Sequence, residues 1–169
     1  MKKFKLAILD RDGVLNRSNI NKGYIGKKRD FYWINGAKRA IKFLNDKKYK
    51  VVIVSNQSGI ARNYFKYKDV INLHNFMKKD LKKIKAKVDR IFFCPHHKNG
   101  VVDKYKIDCK CRKPKNLFFK KIQKIWSIDK KNSFMIGDQI TDMQFAKKSK
   151  IKGYFFNKKN LYNFVEKIV

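Results

Sequence analysis

Proline occurs twice and glycine eight times in 169 residues, which excludes a collagenous chain and a Pro/Gly-rich low-complexity one. Acidic side chains are scarce: 13 Asp and Glu stand against 44 Lys and Arg, a formal net charge of +31. No apolar run reaches the roughly 18 to 20 residues that a membrane span needs. Met1–Phe4 leads directly into an apolar run that ends in acids, so no secretory leader is expected. Cysteine is confined to Cys94, Cys109 and Cys111, within 18 residues. Their odd number and close spacing argue against a disulfide framework and for a metal site in a reducing compartment, the cytoplasm. What remains is 43% hydrophobic and 14% aromatic. That is enough for a core, and the length of the chain predicts one domain over residues 1–169, compatible with a monomer.

The charge attracts polyanions non-specifically. It is not concentrated, however: 37 Lys and only 7 Arg are spread from Lys2 to Lys167. A dedicated nucleic-acid surface clusters its bases and uses Arg for forked contacts. Abundant Lys, Asn, Ile and Phe with little Ala and Pro fits the codon bias of an AT-rich genome acting on solvated positions. The expected partner is a small phosphorylated substrate, with no specific nucleic acid and no membrane.

Five short apolar runs end in polar residues: Leu6–Leu9 at Asp10, Val51–Val54 at Ser55-Asn56, Ile91–Phe93 at Cys94, Phe134–Ile136 at Gly137-Asp138, and Tyr154–Phe156 at Asn157. Such runs predict strands of a parallel sheet buried on both faces. Helical stripes lie between them: Ala37, Ala40, Ile41, Leu44; Val70, Leu73, Met77, Leu81, Ile84; Leu117, Phe118, Lys121, Ile122, Ile125; Met143, Ala146; and Leu161–Ile168. The alternation predicts a doubly wound, Rossmann-like α/β fold with helices on both faces. In that fold the carboxyl ends of the strands line one crevice where ligands bind. Any one of these polar residues could be an ordinary turn former; together they read as a site.

Asp10-Arg11-Asp12-Gly13 offers two carboxylates at i and i+2, one to serve as nucleophile and one as proton carrier, with Gly13 permitting a sharp turn. Asp138 adds a third carboxylate and Asp142 a fourth. Convergent acids suit Mg2+, which takes oxygen ligands and substrate phosphate. Ser55 and Lys113 supply a hydroxyl and a point positive charge for phosphoryl oxygens. Cys94 and His96 followed by Cys109 and Cys111 give four N/S donors, the count of a closed tetrahedral zinc site. The competing reading is a buried thiol and a loop imidazole.

Asp10-Arg11-Asp12-Gly13, Ser55-Asn56-Gln57, Lys113 and Gly137-Asp138-Gln139-Ile140-Thr141-Asp142 resemble, in order, the four signatures of the haloacid dehalogenase superfamily of phosphatases. Ser55-Asn56-Gln57-Ser58-Gly59-Ile60-Ala61-Arg62, Cys94-Pro95-His96-His97 and Cys109-Lys110-Cys111-Arg112-Lys113-Pro114 narrow the resemblance to the D-glycero-D-manno-heptose-1,7-bisphosphate 7-phosphatase family. Histidinol-phosphate phosphatases share the zinc loop. Twelve residues between His96 and Cys109, and Ser58 where those relatives carry Asp, favour the heptose enzymes. The resemblance covers residues 4 to about 157 and implies hydrolysis of a sugar bisphosphate in ADP-heptose and lipopolysaccharide-core precursor synthesis.

The resemblance also implies roles. Asp10 attacks phosphorus; Asp12 protonates the leaving oxygen and then activates water. Ser55 and Lys113 steady the phosphoryl group, and Arg112 contacts the anomeric end of the sugar phosphate. Mg2+ is held by Asp10, Asp12 (through its main-chain carbonyl) and Asp138; structural zinc is held by Cys94, His96, Cys109 and Cys111. Substrate contacts are expected from Asn21, Lys22, Gly23 and Tyr24 of a short flap, from Ser55, Asn56, Gln57 and Ser58, and from Arg112, Lys113 and Gln139. No insert is large enough for a separate cap domain. Gln139 stands where the heptose enzymes often carry Lys. His74 reads as a packing residue at the edge of the second helical stripe, and Trp33 and Trp126 as packing residues. A nucleic-acid-binding protein or a polynucleotide 3′-phosphatase remains the alternative of a different class.

Overall fold

The structure of the protein, a computed structural model, describes residues 2–19 and 21–169, and all of their side chains but that of Asn21. At its centre is an all-parallel sheet of β1 (Leu6–Leu9), β2 (Lys50–Asn56), β3 (Arg90–Cys94), β4 (Phe134–Gly137) and β5 (Lys152–Phe155). The order is β3-β2-β1-β4-β5. Five helices connect the strands or close the chain: α1 (Ala37–Asp46), α2 (Tyr67–Lys82), α3 (Leu117–Ile125), α4 (Ile140–Ser149) and α5 (Leu161–Ile168).

The period-two alternation of strand side chains divides the core into two layers. Ala7, Leu9, Val51, Ile53, Phe134 and Ile136 face α1, α2 and α5. Leu6, Ile8, Val52, Val54 and Met135 face α3 and α4. β1 and the apolar stretch of β2 are fully buried on both sides, so burial of each Leu, Ile or Val contributes about 1.5 to 3 kcal/mol.

Three expectations need correction. β5 is largely exposed and β3 half-buried, because both are edge strands that one layer covers incompletely. Ile84 lies beyond the end of α2 and is exposed. In α3 the buried residues are Phe118, Phe119 and Ile122, while Ile125 is exposed; the stripe is rotated from the one that Leu117 and Ile125 predicted. Among the described residues no helix is long and apolar enough to cross a membrane.

β1 lies between β2 and β4, where the direction of winding reverses. Leu9 pairs with Ile53 and Ile136, and the Asp10 N–H donates to the Ile136 carbonyl at 2.9 Å. Asp10 therefore enters the crevice at the topological switch point, flanked by the tips of β2 and β4.

Candidate active site

The strand tips floor a cleft of about 790 Å³, lined among others by Asp10, Asp12, Lys22, Tyr24, Arg112 and Asp138. Two glycines allow its close packing. Gly13 has a φ of 84°, and a Cβ there would overlap the Asp138 carboxylate. A Cβ on Gly137 would overlap Asp142.

Lys113 is 3% exposed, and its Nζ reaches Asp10 Oδ1 at 2.9 Å, Asp142 Oδ1 at 2.6 Å and the Val54 carbonyl at 2.9 Å. Burial works against the Lys113 charge, but the Asp10 and Asp142 carboxylates outweigh it and hold its pKa above the ordinary value. Burial raises Asp10 to about 7, with Lys113 opposing and the Asp142 and Asp12 charges adding to the rise. Asp138 is also raised, by burial first, with the Gln139 side chain opposing and the Asp142 charge adding.

One oxygen from each of Asp10, Asp138 and Asp142 lies within 4.8 Å of the others, a cluster that could hold a cation. Asp138 Oδ1 is buried with no hydrogen-bond partner, as a carboxylate oxygen awaiting a cation would be. Both oxygens of Asp142 are engaged, Oδ1 by Lys113 and Oδ2 by the Gln139 N–H at 3.1 Å, where it also caps α4. The donor set therefore fits a hard divalent ion such as Mg2+, with Asp10 and Asp138 as the available carboxylates.

The Asp12 carboxylate lies outside that cluster, and the part expected of Asp12 in holding the ion falls to its main-chain carbonyl. Asp12 Oδ1 accepts from Arg11 Nε at 3.1 Å, Arg11 Nη2 at 3.0 Å and Asn16 Nδ2 at 2.9 Å. Its Oδ2 accepts from Arg11 Nη2 at 3.0 Å and Gln57 Nε2 at 2.7 Å. These partners hold the group to one side while it still lines the cleft.

The tip of β2 acts as a brace. Gln57 is 2% exposed; besides Asp12 it donates to Ser55 Oγ at 2.8 Å and accepts from Arg11 Nη2 at 2.9 Å. Asn56 makes a reciprocal pair with the main chain of Lys113, donating to its carbonyl at 3.2 Å and accepting from its N–H at 3.0 Å. Asn56 and Gln57 line the cleft, and their side-chain amides also support Lys113 and Asp12. Ser55 is buried under Gln57, whereas Ser58 lines the cleft.

Cys94 Sγ lies 3.3 Å from Cys109 Sγ and 3.1 Å from Cys111 Sγ, and Cys109 and Cys111 are 3.4 Å apart. His96 Nδ1 is 3.7 Å from Cys94 Sγ and 3.4 Å from Cys111 Sγ. A tetrahedral zinc with Zn–S bonds of about 2.3 Å has S–S edges of about 3.8 Å, so slight expansion of the cluster admits the ion. The hydrogen bond between Cys94 and Cys111 pulls the Cys111 thiol down, against burial, and pushes Cys94 up, so the first thiolate of the cluster falls on Cys111. His97 points away and meets Arg62 Nη2 at 3.3 Å.

Of the flap residues, Lys22, Gly23 and Tyr24 line the cleft; the Asn21 side chain lies outside the described residues. Tyr24 packs edge-on against Tyr64 with ring centroids 4.7 Å apart. Gln139 lines the rim and donates to Asp138 Oδ2 at 3.3 Å. Lys98 and Lys115, which belong to none of the motifs, also line the cleft, as does Thr141 of the Gly137–Asp142 signature. Trp33 packs against Phe31 and its indole N–H donates to Asp80 at 2.8 Å.

Comparison with known proteins agrees with this geometry. The family model described as polynucleotide kinase 3 phosphatase matches residues 5–160. Over 163 residues the chain is 39% identical to the D-glycero-beta-D-manno-heptose-1,7-bisphosphate 7-phosphatase of Rhodopseudomonas palustris, covering 96% of this chain and 89% of that protein. It is 36% identical over 156 residues to the corresponding alpha-heptose enzyme of Photorhabdus laumondii, covering 92% and 84%. The structure of the D,D-heptose 1,7-bisphosphate phosphatase of B. bronchiseptica, complexed with magnesium and phosphate, has a TM-score of 0.79 at 28% identity, covering 98% of this chain and 87% of that one. Fold and site together define a phosphatase of the haloacid dehalogenase type, with carboxylates at a switch point and a thiol-rich loop beside them. Within that class the chain belongs to the heptose-1,7-bisphosphate 7-phosphatase family.

Proposed function

We propose that the protein removes the 7-phosphate of D-glycero-D-manno-heptose 1,7-bisphosphate, a cytoplasmic step toward ADP-heptose. The observation that carries the reading is the meeting of Asp10, Asp138 and Lys113 at one switch point, in a chain 39% identical to an enzyme of that name across almost its full length.

Asp10 is the nucleophile. Burial and neighbouring carboxylates hold its pKa near 7, and Lys113 at 2.9 Å supports the charged form. Its oxygen bonds to phosphorus while the sugar oxygen leaves, and Asp12 gives that oxygen a proton. Water then attacks the aspartyl-phosphate, Asp12 takes the proton, and Asp10 is released with inorganic phosphate. One hard displacement becomes two easier ones. When bound by Asp10, Asp138 and the main-chain carbonyl of Asp12, Mg2+ supplies counter-charge for the phosphoryl oxygens. Lys113 supplies the fixed cation, and Asp142 keeps it aimed at Asp10. Arg112, Lys98 and Lys115 on the cleft wall suit the phosphate that stays on the sugar. Zinc held by Cys94, His96, Cys109 and Cys111 supplies structure rather than chemistry, pinning the loop that delivers Arg112 and Lys113.

Phosphate release with Mg2+ is measured on three substrates: heptose 1,7-bisphosphate, histidinol phosphate and a 3′-phosphorylated oligonucleotide. The heptose ester should be turned over fastest by at least tenfold in kcat/KM. An oligonucleotide in first place would replace this reading with polynucleotide 3′-phosphatase activity. Asp10→Asn should abolish turnover while the protein keeps its fold; retained turnover would refute the covalent mechanism.

A further inference from the structure

Arg11 and His74 have no part in the chemistry described so far, yet both are buried against it. Arg11 is 0% exposed and His74 is 4% exposed. Arg11 Nε and Nη2 fork onto Asp12, Nη2 also meets Gln57 Oε1 and the Ile25 carbonyl, and Nη1 lies 3.1 Å from His74 Nε2. The guanidinium has only donors, so His74 Nε2 must be the acceptor in that contact. Phe93 packs edge-on against the imidazole with centroids 5.2 Å apart, which fixes the ring from the side of β3. His74 belongs to α2, and so joins that helix to the loop after β1.

We propose that His74 is a positioning residue: by accepting from Arg11 it sets the guanidinium fork that orients Asp12 toward the leaving-group oxygen. The proposal rests on the reading of Asp12 as the proton carrier. In the first step the P–O bond to the sugar breaks, the Asp10–phosphorus bond forms, and the Asp12 proton goes to the departing oxygen. In the second, a water proton returns to Asp12 as water replaces Asp10 on phosphorus. Proton transfer of this kind contributes about 10²- to 10⁴-fold, and an error of about 1 Å in a reacting group forfeits a large part of it.

The test compares His74→Phe, which keeps the ring and loses the acceptor, with His74→Gln, which keeps an acceptor. Both are checked for folding by thermal melting. With the heptose bisphosphate, His74→Phe should lose about 10- to 100-fold in kcat with KM within about twofold, and His74→Gln should recover most of the loss. With p-nitrophenyl phosphate the leaving group departs without a proton. The pre-steady-state burst of nitrophenolate should therefore keep its wild-type rate in His74→Phe while the following steady state slows. Wild-type kcat in His74→Phe, equal losses in both variants, or a burst slowed as much as sugar-phosphate turnover would each overturn the proposal. If His74→Phe does not fold, Arg11→Lys, which cannot fork, is put through the kcat and burst measurements beside His74→Gln, and wild-type kcat in Arg11→Lys or a burst slowed as much as sugar-phosphate turnover overturns the proposal. Asp12→Asn is run alongside: wild-type activity in that variant means that the acid–base reading itself has failed, whatever the His74 variants do.

Discussion

Lys113 is held between two carboxylates and is only 3% exposed, so removing one of them leaves an imbalance that solvent repairs poorly. Asp142→Asn keeps an acceptor for the Gln139 N–H but deletes half of the counter-charge. It should cost about 3 kcal/mol in urea unfolding, together with at least tenfold in kcat. His74 gives a second signal, in stability against pH. Burial first, then Arg11 and Lys78, depress its pKa from 6.5 to about 2. The folded state therefore keeps the imidazole neutral, while the unfolded state protonates below pH 6.5. This stability is fully present above pH 6.5 and is lost as pH falls toward 2, at up to about 1.4 kcal/mol per pH unit. The unfolding free energies of wild type and His74→Gln, measured from pH 7.5 to 4.5, should converge or cross in the acid range by that slope. Parallel curves would mean that His74 is not held neutral. At this scale the acids and Lys113 are legible in the sequence because each follows an apolar run or a tight motif. The Arg11–His74–Gln57 brace joins three segments far apart in the chain, which no local pattern encodes. One clue was present: Ala7, Leu9 and Arg11 alternate, so Arg11 continues the face that packs on α1 and α2.

The loop from Cys94 to Cys111 behaves as an element although it has little regular structure. It leaves β3 and returns at Arg112 and Lys113, and Asn56 clamps that return to β2. Metal analysis of the purified protein should find about one zinc per chain. Stripping it should lower Tm by about 5 °C or more and reduce kcat, although Lys113 is not a zinc ligand. Unchanged Tm after complete removal would rule out a structural role. The strands were legible from their apolar runs, and the helices from their stripes. What the runs cannot report is strand position: the three-residue runs Phe134–Ile136 and Tyr154–Phe156 read alike, yet β4 lies inside the sheet and β5 at its edge. The rotation of α3 has a similar origin, since Leu117-Phe118-Phe119 offers a choice of faces that only the packing against Phe92 and Met135 resolves.

At the scale of the whole molecule, charge is distributed unevenly by function. Of 13 acidic residues, five line the cleft: Asp10, Asp12, Asp108, Asp138 and Asp142. The surface carries the basic excess, which should draw a bisphosphate in from solution and weaken as salt shortens the Debye length from about 10 Å at 0.1 M to about 3 Å at 1 M. The kcat/KM for the bisphosphate should fall more steeply with added KCl than that for a monophosphate ester; equal slopes would mean that the field does not steer. Inside the cleft the five acids meet five bases, Lys22, Lys98, Arg112, Lys113 and Lys115, so the recess is close to neutral while the rest of the chain is strongly positive. A divalent ion held by Asp10 and Asp138 would tip that balance toward the anion, and the affinity for the sugar ester should therefore rise with Mg2+ concentration.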